Sequence, residues 1–381
     1  MAQLNQAQKN RITQQALTPL PQPHLTGMKL QEDIILNDFV FNTVDDFGVL
    51  WVITDIKGWW SPPAPDMPDI KRGWADGSYD VKGRYNARDL TLEGSILCTD
   101  PSLAADARRR LVAQINLVRQ GGWLKTYENP LKASWVRLSG EPNFETVSAR
   151  GRIDFSIGLR ASDPIKYSWN ELDSQGYNIE EILAKSIAPA RTGKSVLINE
   201  GDYPVSAYFK ITGPVTGPAV ILNETNGEFI TIVEPLRSIV TGSIISKSIT
   251  GGLVTLTTST NHVLQVGDSV EVFSLGAGID GDRFITARTN NTFTFIGTAA
   301  DTVNVVSVIG TYTFGPDILE IDTYNRETAL NGEYYGARMK LEVYNDWVTL
   351  SPGENTISFY DNGNTSSTAK LTVEYRSGWL A

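Results

Sequence analysis

The chain has 381 residues, of which 41% are hydrophobic and 20% charged, a balance typical of folded protein rather than of a disordered polymer. Its length leaves room for two or three domains. A formal net charge of −10 argues against a general nucleic-acid binder, because phosphate contacts require a clustered basic surface. The single cysteine, Cys98, excludes an internal disulfide framework and any cysteine-based zinc site.

The first residues, MAQLNQAQKNRITQQ, are polar and lack the apolar stretch of a signal peptide. No run of about 18 apolar residues occurs in the sequence. These two patterns predict a protein without a membrane anchor.

The segment GWADGSYDVKGRYNARDLTLEGSI, residues 73–96, begins with glycine-rich turn residues and ends as a strand. Leu90, Leu92 and Ile96 share one face of that strand, with polar residues opposite. Hydrophobic residues alternate in the same way between residues 153 and 159. Pro164 cannot donate a ladder hydrogen bond and bends the chain out of its sheet, so we expect the first domain to end shortly after it.

One helix is strongly indicated between Asp100 and Gly121. Asp100 suits the N-cap and Pro101 the first helical position, while Gly121 and Gly122 end the pattern. Hydrophobic residues recur at helical spacing at Leu103, Ala107, Leu111, Ile115 and Val118. The sequence therefore predicts one packed helix.

Three consecutive arginines, Arg108, Arg109 and Arg110, fall inside this helix. In an acidic chain they indicate a solvated or subunit-facing surface, with a nucleic-acid contact as the less favoured alternative. A second, weaker helix is predicted over Glu180–Ser186.

From about Asn199 the sequence changes to short strands and turns, which predicts a second, all-β domain. Between about 237 and 313 a segment rich in Thr, Val, Ile, Ser and Gly has the pattern of a small β-barrel or sandwich. Strands resume after it, and Asn331-Gly332 predicts a hairpin turn. The middle segment is therefore predicted to be an insertion, and its expected core comprises Val266, Val270, Val272, Phe293 and Phe295.

Histidines and a phosphate-loop-like segment are the first candidates for catalytic chemistry. Neither His24 nor His262 has the partner motif of a triad or a metal site, so both are interpreted as structural or exposed. ARTGKS, residues 190–195, imitates the end of a P-loop, but the first glycine of that pattern would fall at Ala188. A strand-like segment follows where a P-loop requires a helix.

Carboxylate pairs occur at Asp45-Asp46, Glu180-Glu181 and Asp280/Asp282. Such pairs can serve glycoside hydrolysis or calcium binding, but pairs this common lie in turns by default. DNGN, residues 361–364, is interpreted as a hairpin tip. We therefore predict no catalytic residue, no metal site and no cofactor.

Trp59, Trp60 and Trp74 lie beside a proline-rich loop, SPPAPDMPDI. Aromatic side chains in such a place can form a sugar-stacking or protein-contact surface. The alternative is that they cap a sheet edge. All three are retained as candidate surface or glycan contacts.

Six blocks of sequence occur in a characteristic order. The first joins Trp74–Gly77, Gly83–Tyr85 and Arg88–Gly94 to the helix, and it is followed by VRLSGEPNFE, RIDFSIGLRASDPIKY, LEIDTYNRETALNG, LSPGENTISF and YRSGWL. In this order the blocks resemble the distal tail proteins of siphophages. The resemblance covers roughly residues 28–236 and 314–381, and it leaves out an N-terminal extension, residues 1–27, and the insertion, residues 237–313.

The resemblance implies a mainly β fold. Residues 28–198 would form a tail-tube-like β-sandwich domain with one packed helix, which assembles into a ring. Residues 199–236 and 314–381 would form a galectin-like β-sandwich that carries residues 237–313 as an inserted small β-domain.

The resemblance also implies a structural virion protein that is not an enzyme. It would form a hexameric ring at the distal end of a long non-contractile tail and join the tail tube to the baseplate and host-attachment apparatus. The implied partners are further copies of the chain, the major tail tube protein, the tail-tip hub or tail-associated protein and the tape measure protein, with a host cell-surface glycan as a further candidate. By analogy, Arg84 and Arg88 would meet carboxylates of a neighbouring subunit. The protein would be made in the host cytoplasm and act in the virion.

Two other functional classes stay open at this point. A carbohydrate-binding adhesin or receptor-binding module would show glycan affinity through the tryptophans or the second domain. A glycosidase would show turnover that depends on one carboxylate. Analogy of fold does not by itself decide among these classes.

Overall fold

The computed structural model describes residues 34–128, 130–148, 151–169, 183–187, 193–333, 341, 346–361 and 367–381. The chain divides into two compact units. The first comprises residues up to Ile182 together with Asn199–Val205 and Arg376–Ala381, and the second comprises Leu183–Ile198 and Ser206–Tyr375. The architecture is mainly β, with one α-helix among the residues described, which confirms the predicted fold class.

The first unit is built on strands that precede residue 169. Helix α1 spans Ala104–Val118 and follows a 3-10 turn at Pro101–Leu103. The strands are β1 Ile34–Leu36, β2 Phe39–Val40, β3 Thr43–Val44, β4 Val49–Lys57, β5 Pro65–Asp66, β6 Ile70–Lys71, β7 Ser78–Tyr79, β8 Arg84–Tyr85, β9 Arg88–Cys98, β10 Gly122–Thr126, β11 Lys132–Leu138, β12 Asn143–Ser148, β13 Arg152–Ala161 and β14 Lys166–Ser168.

The main sheet of the first unit is antiparallel, in the order β2-β1-β10-β11-β13-β9-β4-β3, with β12 paired to β13 and β14 to β11. Ile153 lies opposite Ile96 and Leu159 opposite Leu90, so the two predicted alternating strands are direct neighbours. This register brings their buried side chains onto one face, where they form the core with side chains of α1.

Helix α1 covers that buried face, as the sequence predicts. The Asp100 carboxylate accepts a hydrogen bond from the backbone N–H of Ser102 at 2.9 Å and so caps the entry to the helix. Ala107, Leu111, Ile115 and Val118 are buried. Gly121 ends the helix at φ +117°, where a Cβ atom would come within 2.5 Å of the Trp135 ring.

Strands after residue 182 supply the second unit. They are β15 Leu183–Ile187, β16 Lys194–Asn199, β17 Val205–Thr212, β18 Ala219–Asn223, β19 Phe229–Ile232, β20 Val240–Thr250, β21 Leu253–Thr258, β22 Ser269–Phe273, β23 Gly281–Phe284, β24 Ala287–Arg288, β25 Thr292–Ile296, β26 Thr302–Phe314, β27 Ile318–Asp322, β28 Glu327–Leu330, β29 Thr349–Leu350, β30 Gly353–Asp361 and β31 Lys370–Tyr375.

These strands form three sheets. One has the order β15-β31-β17-β27-β28 with β29 on β17, and a second has the order β16-β30-β18-β19. The third, β23-β22-β26-β20-β21-β25-β24, is built entirely from residues 240–314, and it extends one residue past the end of the predicted insertion, residues 237–313. Of its expected core, Val270, Val272, Phe293 and Phe295 are fully buried.

Two local expectations were wrong. The helix predicted over Glu180–Ser186 is contradicted by β15, which pairs with β31, and residues 180–182 lie outside the described chain. The predicted core residue Val266 is 61% exposed. It lies in a turn between Gln265 and Asp268 rather than on β22, so the alternation of that strand does not reach it.

The predicted hairpin at Asn331-Gly332 is confirmed. Both residues have positive φ, 53° and 83°, as a type I′ turn requires. The flanking Leu330 and Glu333 exchange backbone hydrogen bonds of 2.8 and 2.9 Å. The predicted tip at DNGN begins at Asp361, the last residue of β30, and its other residues lie outside the described chain.

The end of the chain returns to the first unit. Strand β32, Gly378–Trp379, pairs with β14, opposite Lys166 and Tyr167. The carbonyl group of Ala381 accepts a hydrogen bond from Lys132 Nζ at 3.1 Å. The first unit is thus completed by residues more than 200 positions away from β14 in sequence.

Candidate interaction surfaces

Residues 58–87 leave the main sheet between β4 and β9, and we call this segment the arm. Its strands form two separate ladders, β5 with β8 and β6 with β7. Every side chain in these two-residue strands is exposed. Ladders this short enclose no hydrophobic interior of their own.

The arm carries large hydrophobic side chains on its surface. Their exposed fractions are 50% for Trp60, 66% for Met67, 51% for Ile70, 103% for Trp74, 58% for Tyr79 and 40% for Tyr85. Trp74 lies in the turn that joins β6 to β7, which the Arg72 N–H closes by donating to the Gly77 carbonyl at 3.1 Å. A concentration of exposed apolar side chains on a soluble protein marks a contact surface.

Arg88 does not lie on this surface, which corrects its assignment as an inter-subunit contact. It is 1% exposed, because it alternates with Leu90 and Leu92 on the buried face of β9. Its guanidinium donates to five carbonyl groups, those of Gly58, Trp59, Ser61, Pro164 and Leu380. Burial lowers the pKa of Arg88 from its ordinary value. Arg88 therefore fixes the start of the arm to the end of the chain.

Trp59 is also buried, which corrects its assignment as a surface or glycan contact. It is fully inaccessible and belongs to the core of the first unit. Its indole N–H donates to the Glu128 carboxylate. Its neighbour Trp60 is half exposed, so of the adjacent tryptophans only the second reaches the surface.

Lys166 is a buried cation that the sequence analysis did not identify. Its ammonium donates to the Trp59 carbonyl at 3.0 Å and lies 4.8 Å from the centre of the Trp59 ring. Burial lowers the pKa of Lys166 to about 8, and the positive charges of Lys132 and Arg88 add to this effect, while Glu128 and Asp202 oppose it. No sequence pattern around residue 166 indicates this setting, because its partners lie far away along the chain.

The lowered pKa of Lys166 predicts that the first unit becomes more stable at alkaline pH. The unfolded chain binds the Lys166 proton up to its ordinary pKa of 10.5, whereas the folded chain releases it near pH 8. The free energy of unfolding should therefore rise by up to about 3 kcal/mol between about pH 8 and pH 10.5. Urea unfolding at several pH values measures this slope of the unfolding free energy against pH. Lys166→Met should remove it, and an unchanged slope in that variant would contradict the assignment.

Arg84 remains a candidate for contact with a neighbouring subunit. It lies on β8 of the arm, opposite Asp66, and it is exposed. Trp60 and Trp74 likewise remain candidates for contact with a partner or a glycan.

The other polar residues that the sequence raised as candidate site residues make local structural contacts. Asp45 accepts hydrogen bonds from the backbone N–H groups of Phe47 and Val49 and from the Trp51 indole, so it shapes a turn. Asp280 does the same for the N–H groups of Leu275 and Gly276. The His262 ring lies 3.0 Å from the Thr292 carbonyl and packs edge-on against Phe293 and Tyr312. His24, Glu180 and Glu181 lie outside the described residues.

Within the described ranges, no group of three or more histidine, cysteine, aspartate or glutamate side chains could hold a metal ion. No helix of the described chain is both long enough and apolar enough to cross a membrane.

The exposed apolar side chains of the arm mark a contact surface on a mainly β chain. Residues 285–379 match the family model for the C-terminal domain of the siphovirus-type tail component. This match confirms the resemblance to siphophage distal tail proteins drawn from the sequence.

Two solved structures are similar to the chain. One is the SPP1 Dit protein, described as a paradigm of the hub adsorption apparatus in phages that infect Gram-positive bacteria, with 11% identity, a TM-score of 0.49 and coverage of 91% of this chain and 98% of that one. The other is a chain of the phage P2 baseplate in its activated conformation with Ca, with 9% identity, a TM-score of 0.23 and coverage of 69% and 92%. No curated protein matches the chain.

Proposed function

We propose that copies of this chain form a closed hexameric ring at the distal end of a long non-contractile phage tail, and that the ring joins the tail tube to the baseplate and host-attachment apparatus. The match to siphovirus-type tail components supports a place in the virion and a structural rather than catalytic role. The hexameric number and the position in the tail rest on the resemblance drawn from the sequence.

The exposed side chains of the arm are the observation that best supports self-assembly. Its exposed side chains, above all Trp74, cannot be covered by the two-residue ladders that present them. Aromatic side chains of this size contribute most of the binding energy in protein interfaces when a partner encloses them. A segment that projects from one copy onto a different surface of the next gives a heterologous interface, and a rotation that closes such an interface gives a ring.

The further partners are those that a ring in this position would meet. They are the major tail tube protein on one side and, on the other, the tail-tip hub or tail-associated protein, with the tape measure protein in the channel. No nucleic-acid contact is proposed, because the chain is acidic overall.

Light scattering of the purified chain tests the proposal. Wild-type protein at high micromolar concentration should show a species of about six times the mass of one chain, visible as rings in negative stain. Trp74→Asp should shift the population to single chains, because a carboxylate at the tip of the arm cannot be buried without a partner. Val306→Asp, at a site that is 66% exposed in the seven-stranded sheet, is the matched control and should assemble normally.

A wild-type protein that stays monomeric at every concentration, and that forms no ring with tail tube protein added, would contradict the proposal. So would rings that form equally well from the Trp74→Asp variant, because the arm would then play no part in assembly.

A carbohydrate-binding role is the second candidate, favoured by the exposure of Trp60 and Trp74. Indole faces can stack on sugar rings. Glycan arrays separate the two candidates, since binding lost in Trp74→Ala with assembly intact would support an adhesin.

A further inference from the structure

A pair of tryptophans lies on the side of the main sheet that faces away from the core beneath helix α1. Trp123 on β10 is directly opposite Trp135 on β11, and their rings meet edge to face with centres 5.3 Å apart. The next residues along the two strands, Leu124 and Val136, belong to the core on the other side. Part of the Trp135 indole lies directly on Gly121, where a Cβ atom would come within 2.5 Å of the ring. The indole is therefore held in place, yet Trp135 is 43% exposed.

Arginines surround this pair. Arg137 follows Trp135 by two residues, so it lies on the same side of the sheet, directly opposite Arg160 of β13. The guanidinium of Arg376 lies 5.4 Å from the centre of the Trp123 ring. Like charges directly opposite each other on two strands destabilise a sheet. We call the two tryptophans and these three arginines the tryptophan face.

Only part of this positive charge is paired within the described residues. Arg160 lies 3.2 Å from the Asp89 carboxylate, but both side chains are more than half exposed. Arg137 is exposed and has no hydrogen bond or ion pair to another described residue. Lys125, on the same side of β10, is 1% exposed; its ammonium lies 5.8 Å from the centre of the Trp169 ring and has no acceptor within the described chain. A buried cation without a counter-ion is costly, so an anion bound at this face would be stabilised.

We propose that the tryptophan face binds an acidic sugar of a polysaccharide, with the sugar ring on the exposed side of the Trp135 indole and its carboxylate or phosphate group held by Arg137. An indole presents a rigid apolar surface on which a sugar ring can stack. A guanidinium fork matches the paired oxygens of a carboxylate or a phosphate. The tryptophan face shares no residue with the arm, and binding of the sugar does not depend on the proposed ring.

The surroundings favour a sugar over a macromolecular partner of another class. Among the large hydrophobic side chains of β9, β10, β11 and β13, all of which are described, Trp135 alone is exposed. The same side of the sheet continues on β9 and β13 with the polar Thr91, Glu93 and Ser156. A protein interface requires a larger apolar centre than one indole. A nucleic-acid strand requires a series of stacking side chains and a basic surface, whereas the chain has a net charge of −10.

Isothermal titration of the purified full-length chain with defined sugars tests the proposal. The probes are a galacturonate hexamer, which carries carboxylates, a phosphorylated mannan, which carries phosphates, and maltohexaose, which is neutral. At least one acidic probe should bind about tenfold more tightly than maltohexaose, because only an acidic probe engages the arginine. The acidic probe that binds more tightly identifies the anionic group. Absence of binding by both acidic probes, or equal binding of maltohexaose, would overturn the inference.

Variants assign the binding to the tryptophan face. Arg137→Met should weaken binding of the acidic probe by about tenfold and reduce its dependence on salt, because an exposed charge is screened by ions. Trp135→Ala should weaken binding by about tenfold through loss of stacking. Arg84→Met and Trp74→Ala, both at exposed sites of the arm, are the matched controls and should bind as the wild type does. Circular dichroism checks the fold, and Arg137→Met keeps the test valid if Trp135→Ala unfolds.

Three results would show that the inference is wrong. They are unchanged affinity in Arg137→Met, loss of binding in Trp74→Ala instead, and binding of hexaglutamate or of a thymidine hexanucleotide as tight as that of the acidic sugar. The last result would mean that the face recognises charge alone. Failure of the proposed function is recorded separately, because ring formation is measured without sugar and both variants of the tryptophan face should still assemble.

Discussion

Replacing Arg88 by methionine is expected to lower the free energy of unfolding of the first unit by roughly 3–5 kcal/mol. Methionine fills much of the same volume but donates no hydrogen bond. The carbonyl groups of Gly58, Ser61, Pro164 and Leu380 would then lose a charged donor inside the protein. Buried carbonyl groups without a donor are costly, and these four belong to three separate stretches of chain.

Urea unfolding followed by tryptophan fluorescence measures the effect, since eight of the nine tryptophans lie in the first unit. Arg84→Met is the matched control, because Arg84 is exposed on the arm and its loss should change stability by less than about 0.5 kcal/mol. Arg88→Lys should recover only part of the loss, because an ammonium cannot reproduce the fork of donors. A fully stable Arg88→Met variant would show that these carbonyl groups find other donors.

Replacing Arg237 by methionine should destabilise the second unit by a similar amount, roughly 3–5 kcal/mol. The Arg237 guanidinium donates to Asp268 at 2.6 and 2.9 Å and to Asp317 at 3.0 and 3.1 Å, and it lies 4.3 Å from the centre of the Phe314 ring. The side chains of Asp268 and Asp317 are only 8% and 2% exposed. Without the arginine, two carboxylates would remain buried without their counter-ion.

The pH dependence gives this prediction a second measurement. Burial alone would raise the pKa of Asp317, but the hydrogen bonds from Arg237 and Asn331 outweigh burial and hold the pKa below its usual range. A carboxyl group with a lowered pKa contributes stability that is present above about pH 4 and is lost as the pH falls further. In Arg237→Met, burial acts without the cation, so stability should begin to fall at a higher pH than in the wild type.

Calorimetry between pH 3 and pH 7 records both effects. Arg288→Met, at an exposed arginine of β24, is the matched control. An Arg237→Met variant with wild-type stability at every pH would contradict the role assigned to the ion pair.

A variant in which residues 238–312 are replaced by a short Gly/Ser linker keeps Arg237 beside Asp317. This variant should remain soluble and able to assemble.

The elements that the sequence predicted correctly are those specified by neighbouring residues. Helix α1 was predicted because its cap, its spacing of buried residues and its terminal glycines all lie within about 20 residues, and each is a local property. The turn at Asn331-Gly332 depends only on the ability of those two residues to adopt positive φ. Strands β9 and β13 alternate so regularly that their buried faces could be assigned before their pairing was known.

The corrected residues depend instead on distant contacts. Trp59 and Trp60 are adjacent and chemically identical, yet only Trp59 is buried, where its indole donates to Glu128 and its carbonyl accepts from Lys166, both more than 60 residues away. Arg88 was assigned to a subunit contact by analogy, because an arginine fork suits an interface ion pair, and its carbonyl partners cannot be found from local sequence. Leu183–Ile187 has a weak helical pattern, but pairing with β31 decides its structure.

The return of the last residues to the first unit has a consequence for synthesis. Domains at the N-terminus usually fold first, while the ribosome is still translating the rest of the chain. Here Leu380 supplies one of the carbonyl groups around Arg88, and β32 completes the pairing of β14. The root of the arm can therefore reach its final form only after translation has passed residue 380. A copy cut short by premature termination would lack the Leu380 carbonyl group and β32, so it would carry an incompletely anchored arm.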